Sequence, residues 1–329
     1  MKKLLLGIIV LLLISCNENP AHEFSLNGKT KGLKNGTVLY LDVENKTIDS
    51  TQIENNTFKF NTVISESPLQ VVLRTKDFSQ YRFLWIENKP MTFDALNTDF
   101  KYAVVTGSKE EELVQKLRDE TKELTRPERL NKNIQFIEDN PNSIHSAYIL
   151  SVYATTWGKE KTKELFDHFS PENKSTEYGE GIATFIELNK NPDIGEKYVD
   201  FEMNDITGKS RRLSEFEGKL VLLEFWSSSC GPCRKENPNL VQTYEEYQDK
   251  GFEVFAVSED TDKTRWQKAI EEDKLPWTQV SDLNRKNKAS MIYGINAIPD
   301  NFLIDKNGVI IDRNLRGEEL NKKLKELLN

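Results

Sequence analysis

Apolar and polar positions alternate with a period of two in the first part of the chain, up to about residue 106. Residues 58–60 read Phe-Lys-Phe, whereas residues 83–86 form a continuous apolar run that predicts a better buried strand. The dipeptide Asn35-Gly36 is typical of a hairpin turn and precedes another short apolar run. These patterns predict a small antiparallel β sandwich or barrel.

The apolar spacing changes to three and four residues between about residues 107 and 191. Leu113 and Leu117 fall on one face of the first predicted helix. Ser108 is the predicted N-cap, and three glutamates follow it in the first turn. The dipeptide Asn140-Pro141 interrupts the series. This part of the chain therefore predicts a helical linker region whose charges lie on a solvated face.

Strands and helices alternate from about residue 192 to the end, which favours an α/β sheet flanked by helices. Residues 220–226 form a nearly continuous apolar strand, and a helix is predicted from Pro232 toward Lys250. Residues 302–304 and 309–311 predict a hairpin, after which an amphipathic helix closes the chain. The fold class is therefore α/β in this last segment.

The first fifteen residues predict an export signal, with two lysines followed by an eleven-residue apolar run. That run is too short to cross a bilayer, which takes ~20 apolar residues. A plain cleaved signal peptide and a short anchor are the alternatives. Residues 13–16, Leu-Ile-Ser-Cys, resemble the lipobox of bacterial lipoproteins. The resemblance implies that Cys16 becomes a lipid-bearing N-terminus, which anchors the chain to a membrane of the cell envelope, facing the periplasm.

The length of 329 residues is enough for two or three domains. We expect five segments, namely a lipoprotein signal peptide at 1–15, a tether at 16–22, a β-rich domain at 23–106, a helical region at 107–191 and the α/β domain at 192–329. The formal net charge is -8, so the chain lacks the excess of positive charge that binds a phosphate backbone. Nucleic acid is therefore not an expected partner.

Three cysteines are too few for a disulfide-stapled scaffold, but two of them form a Cys-Gly-Pro-Cys pair at residues 230–233. The pair lies where the long apolar strand meets the next helix. A thiolate at Cys230 would meet the positive end of that helix dipole, which lowers its pKa. A zinc site would need about four ligands, and a structural disulfide in so short a loop would stabilise little. Redox chemistry is the favoured interpretation.

Residues 192–329 resemble the thioredoxin superfamily, specifically the TlpA/ResA-like, AhpC/TSA-related thiol-disulfide oxidoreductases of bacterial envelopes. The resemblance rests on Val-Leu-Leu-Glu-Phe-Trp at 221–226, on the Cys-Gly-Pro-Cys pair and on Ile-Pro-Asp at 298–300. It implies a central mixed sheet flanked by helices. The preceding part, from residue 23 to about 190, resembles the uncharacterised β domain and helical linker that precede thioredoxin domains in some lipoproteins.

The resemblance also implies roles for individual residues. Cys230 would attack a substrate disulfide, Cys233 would resolve the mixed disulfide, Glu224 would move the proton of Cys233, and Pro299 would be the cis-proline facing the pair. The expected substrate-binding residues are Trp226, Gly231, Pro232 and Ile298. Two departures from the family pattern are Ser229, where tryptophan is usual, and Asp300, where a hydroxyl residue is common.

The sequence therefore predicts an envelope thiol-disulfide oxidoreductase that reduces protein disulfides and needs neither cofactor nor metal. Its expected partners are envelope proteins with disulfides and a membrane thiol electron donor. Thiol peroxidase is an alternative, because Ser227 lies three residues before Cys230, where peroxiredoxins carry a hydroxyl residue, but their preceding proline is missing. Copper delivery is less favoured. Thioredoxin-fold copper chaperones need a histidine downstream of the cysteines, and the last segment has none.

Overall fold

The computed structural model describes residues 24–44, 46–284 and 287–328. These residues form two compact units, one ending at Arg129 and the other beginning at Leu130. The elements of the first unit are β1 Phe24–Thr30, β2 Val38–Val43, β3 Lys46–Gln52, β4 Thr57–Thr62, β5 Leu69–Thr75, β6 Tyr81–Ile86, β7 Pro90–Ala95, β8 Val104–Thr106 and α1 Lys109–Thr121.

The remaining elements follow in chain order and include the α/β segment. They are α2 Arg126–Asp139, α3 Ile144–Asp167, α4 Pro171–Lys174, α5 Glu177–Leu188, β9 Glu202–Asn204, β10 Ser210–Arg212, β11 Leu220–Trp226, α6 Gly231–Tyr247, β12 Phe252–Ser258, α7 Lys263–Asp273, β13 Thr278–Val280, α8 Lys288–Tyr293, β14 Asp300–Ile304, β15 Ile310–Arg313 and α9 Gly317–Leu328. Within the described ranges, none of these helices is long and apolar enough to span a bilayer.

Two four-stranded sheets, ordered β4-β1-β7-β8 and β3-β2-β5-β6, build the first unit. The strand pairs are antiparallel except β1 with β7, which are parallel. Alternate side chains such as Phe58 and Phe60 point into one shared apolar core, because successive residues of a strand face opposite sides. The predicted antiparallel β domain is confirmed.

The hairpin predicted at Asn35-Gly36 is wrong. The strands on either side of this turn, β1 and β2, belong to different sheets and do not pair with each other. Gly36 takes a left-handed φ of 84° and donates its backbone N–H to the carbonyl of Ile53 at 2.9 Å. The dipeptide therefore makes a turn between sheets, because turn chemistry fixes the local bend and leaves the strand's partner to the packing.

Helix α1 is held against strand β6 of the first unit by a buried ion pair. Ser108 caps the helix as predicted, accepting a hydrogen bond from the backbone N–H of Glu111 at 3.1 Å. The Glu111 carboxylate pairs with Arg82 at 2.5 Å and also accepts from the backbone N–H of Trp85 at 3.0 Å. Burying both charges is tolerable because each has its partner and further hydrogen bonds.

Helices α3, α4 and α5, which precede the α/β segment, lie within the second unit. Gly158, with φ of 77°, bends the long helix α3, and α3 packs along α5. The side chain of Asn189, just after α5, donates to the carbonyl of Met291 in α8 at 2.7 Å. The helical region is thereby tied to the α/β segment by a buried hydrogen bond.

The central sheet of the second unit has the strand order β13-β12-β11-β14-β15. β11, β12 and β13 run parallel, while β14 and β15 are antiparallel to their neighbours. Every residue of β11 and β12 is buried, which explains their largely apolar sequences, since helices cover both faces of such a sheet. The predicted mixed sheet flanked by helices is confirmed.

Candidate active site

The cysteine pair lies at the carboxyl end of β11, where the chain turns into α6. Cys230 is the N-cap of α6, and its sulfur accepts a hydrogen bond from the backbone N–H of Cys233 at 3.2 Å. The two sulfurs form a disulfide, with the Cα atoms 5.3 Å apart. Cys230 retains 9% of its surface exposed and Cys233 only 1%. Of the two sulfurs, Cys230 is therefore the one that an outside group can reach more easily.

A network on the neighbouring strand end fixes the loop before Cys230. The buried carboxylate of Asp260, just after β12, accepts hydrogen bonds from the backbone N–H of Ser228 at 2.8 Å and from the hydroxyl of Ser258 at 2.7 Å. Arg234 on α6 donates to the Ser228 carbonyl at 3.2 Å and pairs with Asp273 on α7 at 2.8 Å. This loop is thus held from two neighbouring elements.

Glu224 occupies the middle of β11, between Ala256 of β12 and Asn301 of β14. Its side chain is buried, with 7% of the residue exposed. Burial removes water from the carboxylate and raises the pKa of Glu224 to about 8, against the lowering effects of a hydrogen bond with Asn301 and the charge of Arg316. A carboxyl group with this pKa can exchange a proton near neutral pH, as a general acid or base must.

The second loop of the site contains the cis peptide bond between Ile298 and Pro299, directly before β14. Ile298 packs against the same apolar cluster that contains both cysteines. Asp300, which follows, is buried and bound by the guanidinium of Arg313 through two hydrogen bonds of 3.2 and 2.7 Å. The unusual Asp300 therefore has its charge paired inside the fold.

The four expected substrate-binding residues differ in how deeply they are buried. Gly231 and Pro232 are exposed at the start of α6, and Ile298 is half-buried beside the cysteines. Trp226 is 2% exposed, and its indole N–H donates to the side chain of Gln279 on β13 at 2.9 Å. Its ring lies in the core beneath the cysteines and offers little surface to a substrate.

Several residues that support the site were not found from the sequence, namely Asp260, Asp273, Asn301 and Arg316. Asp260 and Asn301 did carry a signal, because each is a polar residue within or directly after a buried strand. Nothing local distinguishes Asp273 or Arg316 from a solvated surface charge. The predicted lipid site at Cys16 lies outside the described residues.

The parallel strands, the redox disulfide at a helix N-terminus, the cis-proline loop and the buried acid together define a thioredoxin-like redox domain. A model of the AhpC/TSA family matches residues 194–313, and a model of a domain of unknown function (DUF4369) matches residues 24–114.

Curated relatives match the C-terminal part. The thiol-disulfide oxidoreductase ResA of Bacillus thuringiensis subsp. konkukian is 32% identical over 136 residues, which are 41% of this chain and 77% of the relative. The ResA of Geobacillus thermodenitrificans is 36% identical over 117 residues, 36% of this chain and 66% of the relative. The solved thioredoxin domain of a Bacteroides vulgatus thiol-disulfide oxidoreductase is 36% identical, with a TM-score of 0.39, and spans 42% of this chain and 99% of that domain.

Through residues of this C-terminal domain, the chain belongs to the ResA-like thiol-disulfide oxidoreductases of the thioredoxin superfamily. It is therefore an enzyme that exchanges thiols and disulfides.

Proposed function

We propose that the Cys230–Cys233 couple works as a reductant of protein disulfides in the bacterial cell envelope. The observation that carries this proposal is the placement of the two sulfurs. The more exposed sulfur caps a helix and receives a backbone N–H, while its partner lies buried behind it. A thiolate at Cys230 is stabilised by the helix dipole and this hydrogen bond.

The reaction uses the reduced couple. The Cys230 thiolate attacks one sulfur of the substrate disulfide, forms a mixed disulfide and releases the first substrate thiolate. The Cys233 thiol then gives its proton to the Glu224 carboxylate, and the resulting thiolate attacks the Cys230 sulfur. The Cys230–Cys233 disulfide forms and the second substrate thiolate leaves, so two electrons pass to the substrate. No cofactor takes part.

The cis-proline loop supports substrate binding. The exposed positions of Gly231 and Pro232 and the half-buried Ile298 border the more accessible sulfur. The backbone of Ile298 precedes the paired strand β14, so an extended substrate segment can pair with it as an added strand. Substrates of this kind are proteins with exposed disulfides.

The Gly-Pro dipeptide between the cysteines resembles that of reducing thioredoxins and supports the proposed direction of electron flow. We expect the couple of the full chain, equilibrated in thiol buffers and quantified by alkylation, to have a potential below about −200 mV, on the side of thioredoxin at about −270 mV. A potential of about −120 mV, as in the strong oxidant DsbA, would contradict the reductant assignment. Turnover would need a membrane thiol electron donor.

The lipobox-like sequence before Cys16 supports anchoring of the chain to a bacterial membrane. In bacteria fed an alkyne-tagged fatty acid, we expect the wild-type chain to carry the tag and Cys16→Ser to lose it, because Cys16 is the residue that bears the lipid in the proposed anchor. Cys230→Ser should keep the tag and serves as the matched control. Equal labelling of wild type and Cys16→Ser would show that Cys16 bears no lipid.

A further inference from the structure

The short segment that runs from the last residue of β15 to the first residue of α9 contacts three parts of the site that are far apart in sequence. We call residues 313–317, Arg-Asn-Leu-Arg-Gly, the arginine segment. It reaches the cis-proline loop, the surroundings of the buried acid and helix α6. No step of the mechanism given above uses it.

Contacts with the cis-proline loop come from the backbone and side chains of the arginine segment. The guanidinium of Arg316 donates to the carbonyl oxygen of Pro299. The backbone N–H of Asn314 donates to the carbonyl of Asn301 at 2.9 Å. The Asn301 side chain in turn donates to the carbonyl of Leu315 at 2.8 Å. The position of Pro299 therefore depends on this segment.

Contact with the active-site helix is made where the arginine segment ends. The backbone N–H of Gly317 donates to the carboxylate of Glu236 on α6 at 2.8 Å. Among the charged groups that act on Glu224, Arg316 is positive, whereas Asp300 and Glu236 are negative. The Nε of Arg316 is buried and has no hydrogen-bond partner among the described residues. A buried donor without a partner destabilises the fold. A negative charge formed nearby therefore stabilises this N–H.

We propose that Arg316 is a positioning residue for the resolving half-reaction: its guanidinium holds the Pro299 carbonyl oxygen and brings a positive charge into the surroundings of Glu224. The proposal rests on the proposed function, in which Glu224 accepts the proton of Cys233. Asp300 opposes this charge and is itself paired with Arg313. Glu236, bound to the Gly317 N–H, opposes Arg316 from the α6 side.

The test separates the two half-reactions with the reduced full chain and dithionitrobenzoate. Attack by Cys230 forms a protein–thionitrobenzoate mixed disulfide and releases one coloured thionitrobenzoate. Attack by the deprotonated Cys233 on the Cys230 sulfur then closes the protein disulfide and releases the second. The first phase reports on Cys230, and the pH profile of the second phase reports on the group that takes the proton of Cys233.

Arg316→Met should raise the pH midpoint of the second phase by about one unit, because the carboxylate loses a nearby positive charge. At pH 7 its ionised fraction, and with it the second phase, should then fall by about tenfold, with the first phase changed less than about twofold. Arg316→Lys keeps the charge and should keep the midpoint within a few tenths of a unit. Arg316→Gln is the second neutral variant if the methionine variant does not fold.

Arg265→Met removes the same charge from an exposed position on α7 and should leave the midpoint unchanged. If Arg316→Met or Arg316→Gln slows both phases equally at an unmoved midpoint, the residue is only structural and the inference is wrong. If Arg316→Lys shifted the pH midpoint as far as Arg316→Met does, the inference would also be wrong, because loss of the charge would not be the cause. If the wild type released no thionitrobenzoate, the proposed function itself would fail.

Discussion

Replacing Cys230 by serine should abolish the reduction of insulin disulfides, lowering turnover by at least about a thousandfold. In the proposed mechanism the Cys230 thiolate is the attacking group, whereas a serine hydroxyl is not ionised at neutral pH. Cys233→Ser should also stop turnover, but it should keep the first attack and consume about one substrate disulfide per enzyme. Stopped-flow measurement of the first turnover distinguishes the two variants, because only Cys233→Ser retains a fast initial phase.

The two variants are matched controls for each other. Each removes one sulfur and the same cross-link between residues 230 and 233. A difference between them must therefore come from the positions of the two sulfurs, at the more accessible N-cap and in the more deeply buried helix turn. Identical behaviour of Cys230→Ser and Cys233→Ser in the first turnover would show that attack and resolution are assigned incorrectly.

Glu224→Gln should slow the resolving step by about a hundredfold, because general acid–base catalysis typically contributes at least this factor. It should also remove a pH dependence of stability. The pKa of Glu224 is raised from 4.5 to about 8 in the folded chain, so folding favours its protonated form. The stability that this group contributes is complete below about pH 4.5 and is lost as the pH rises through about 8.

Urea unfolding of the oxidised proteins at pH 5 and pH 8.5 measures this second effect. The wild type should lose a few kcal/mol of unfolding free energy relative to Glu224→Gln across this range, since the pKa difference spans several units. Glu318→Gln, at an exposed position at the start of α9, is the matched control and should follow the wild type. Parallel pH profiles of wild type and Glu224→Gln would contradict the buried-acid assignment.

The parts of the site that the sequence predicted are those governed by local rules. The cysteine spacing and Pro232 predict a helix start, and a capping position places Cys230 where a thiolate is stabilised. Glu224 was detectable because it is the charged residue of an otherwise apolar strand. Each of these features needs only neighbours within a few positions.

The missing parts depend on sheet order. Asp260 meets the cysteine loop only because β12 lies beside β11. Arg316 meets Pro299 only because β14 and β15 pair at the other side of the same strand. Local spacing carries no information on either neighbour. Trp226 shows a second limit, because a strand buried on both faces has no polar alternation to indicate which side chains reach the surface.

In the proposed reaction, Cys230 supplies the sulfur that bonds to a substrate. Trapping that bond tests the assignment: reduced Cys233→Ser, as the full chain, is mixed with insulin and quenched with an alkylating agent, and the cross-linked peptides are identified by mass spectrometry without reduction. We expect an insulin chain joined to Cys230 in stoichiometric amount, and no insulin adduct at Cys233 when Cys230→Ser is treated in the same way. An adduct of similar yield at Cys233, or none at Cys230, would show that Cys230 is not the attacking sulfur.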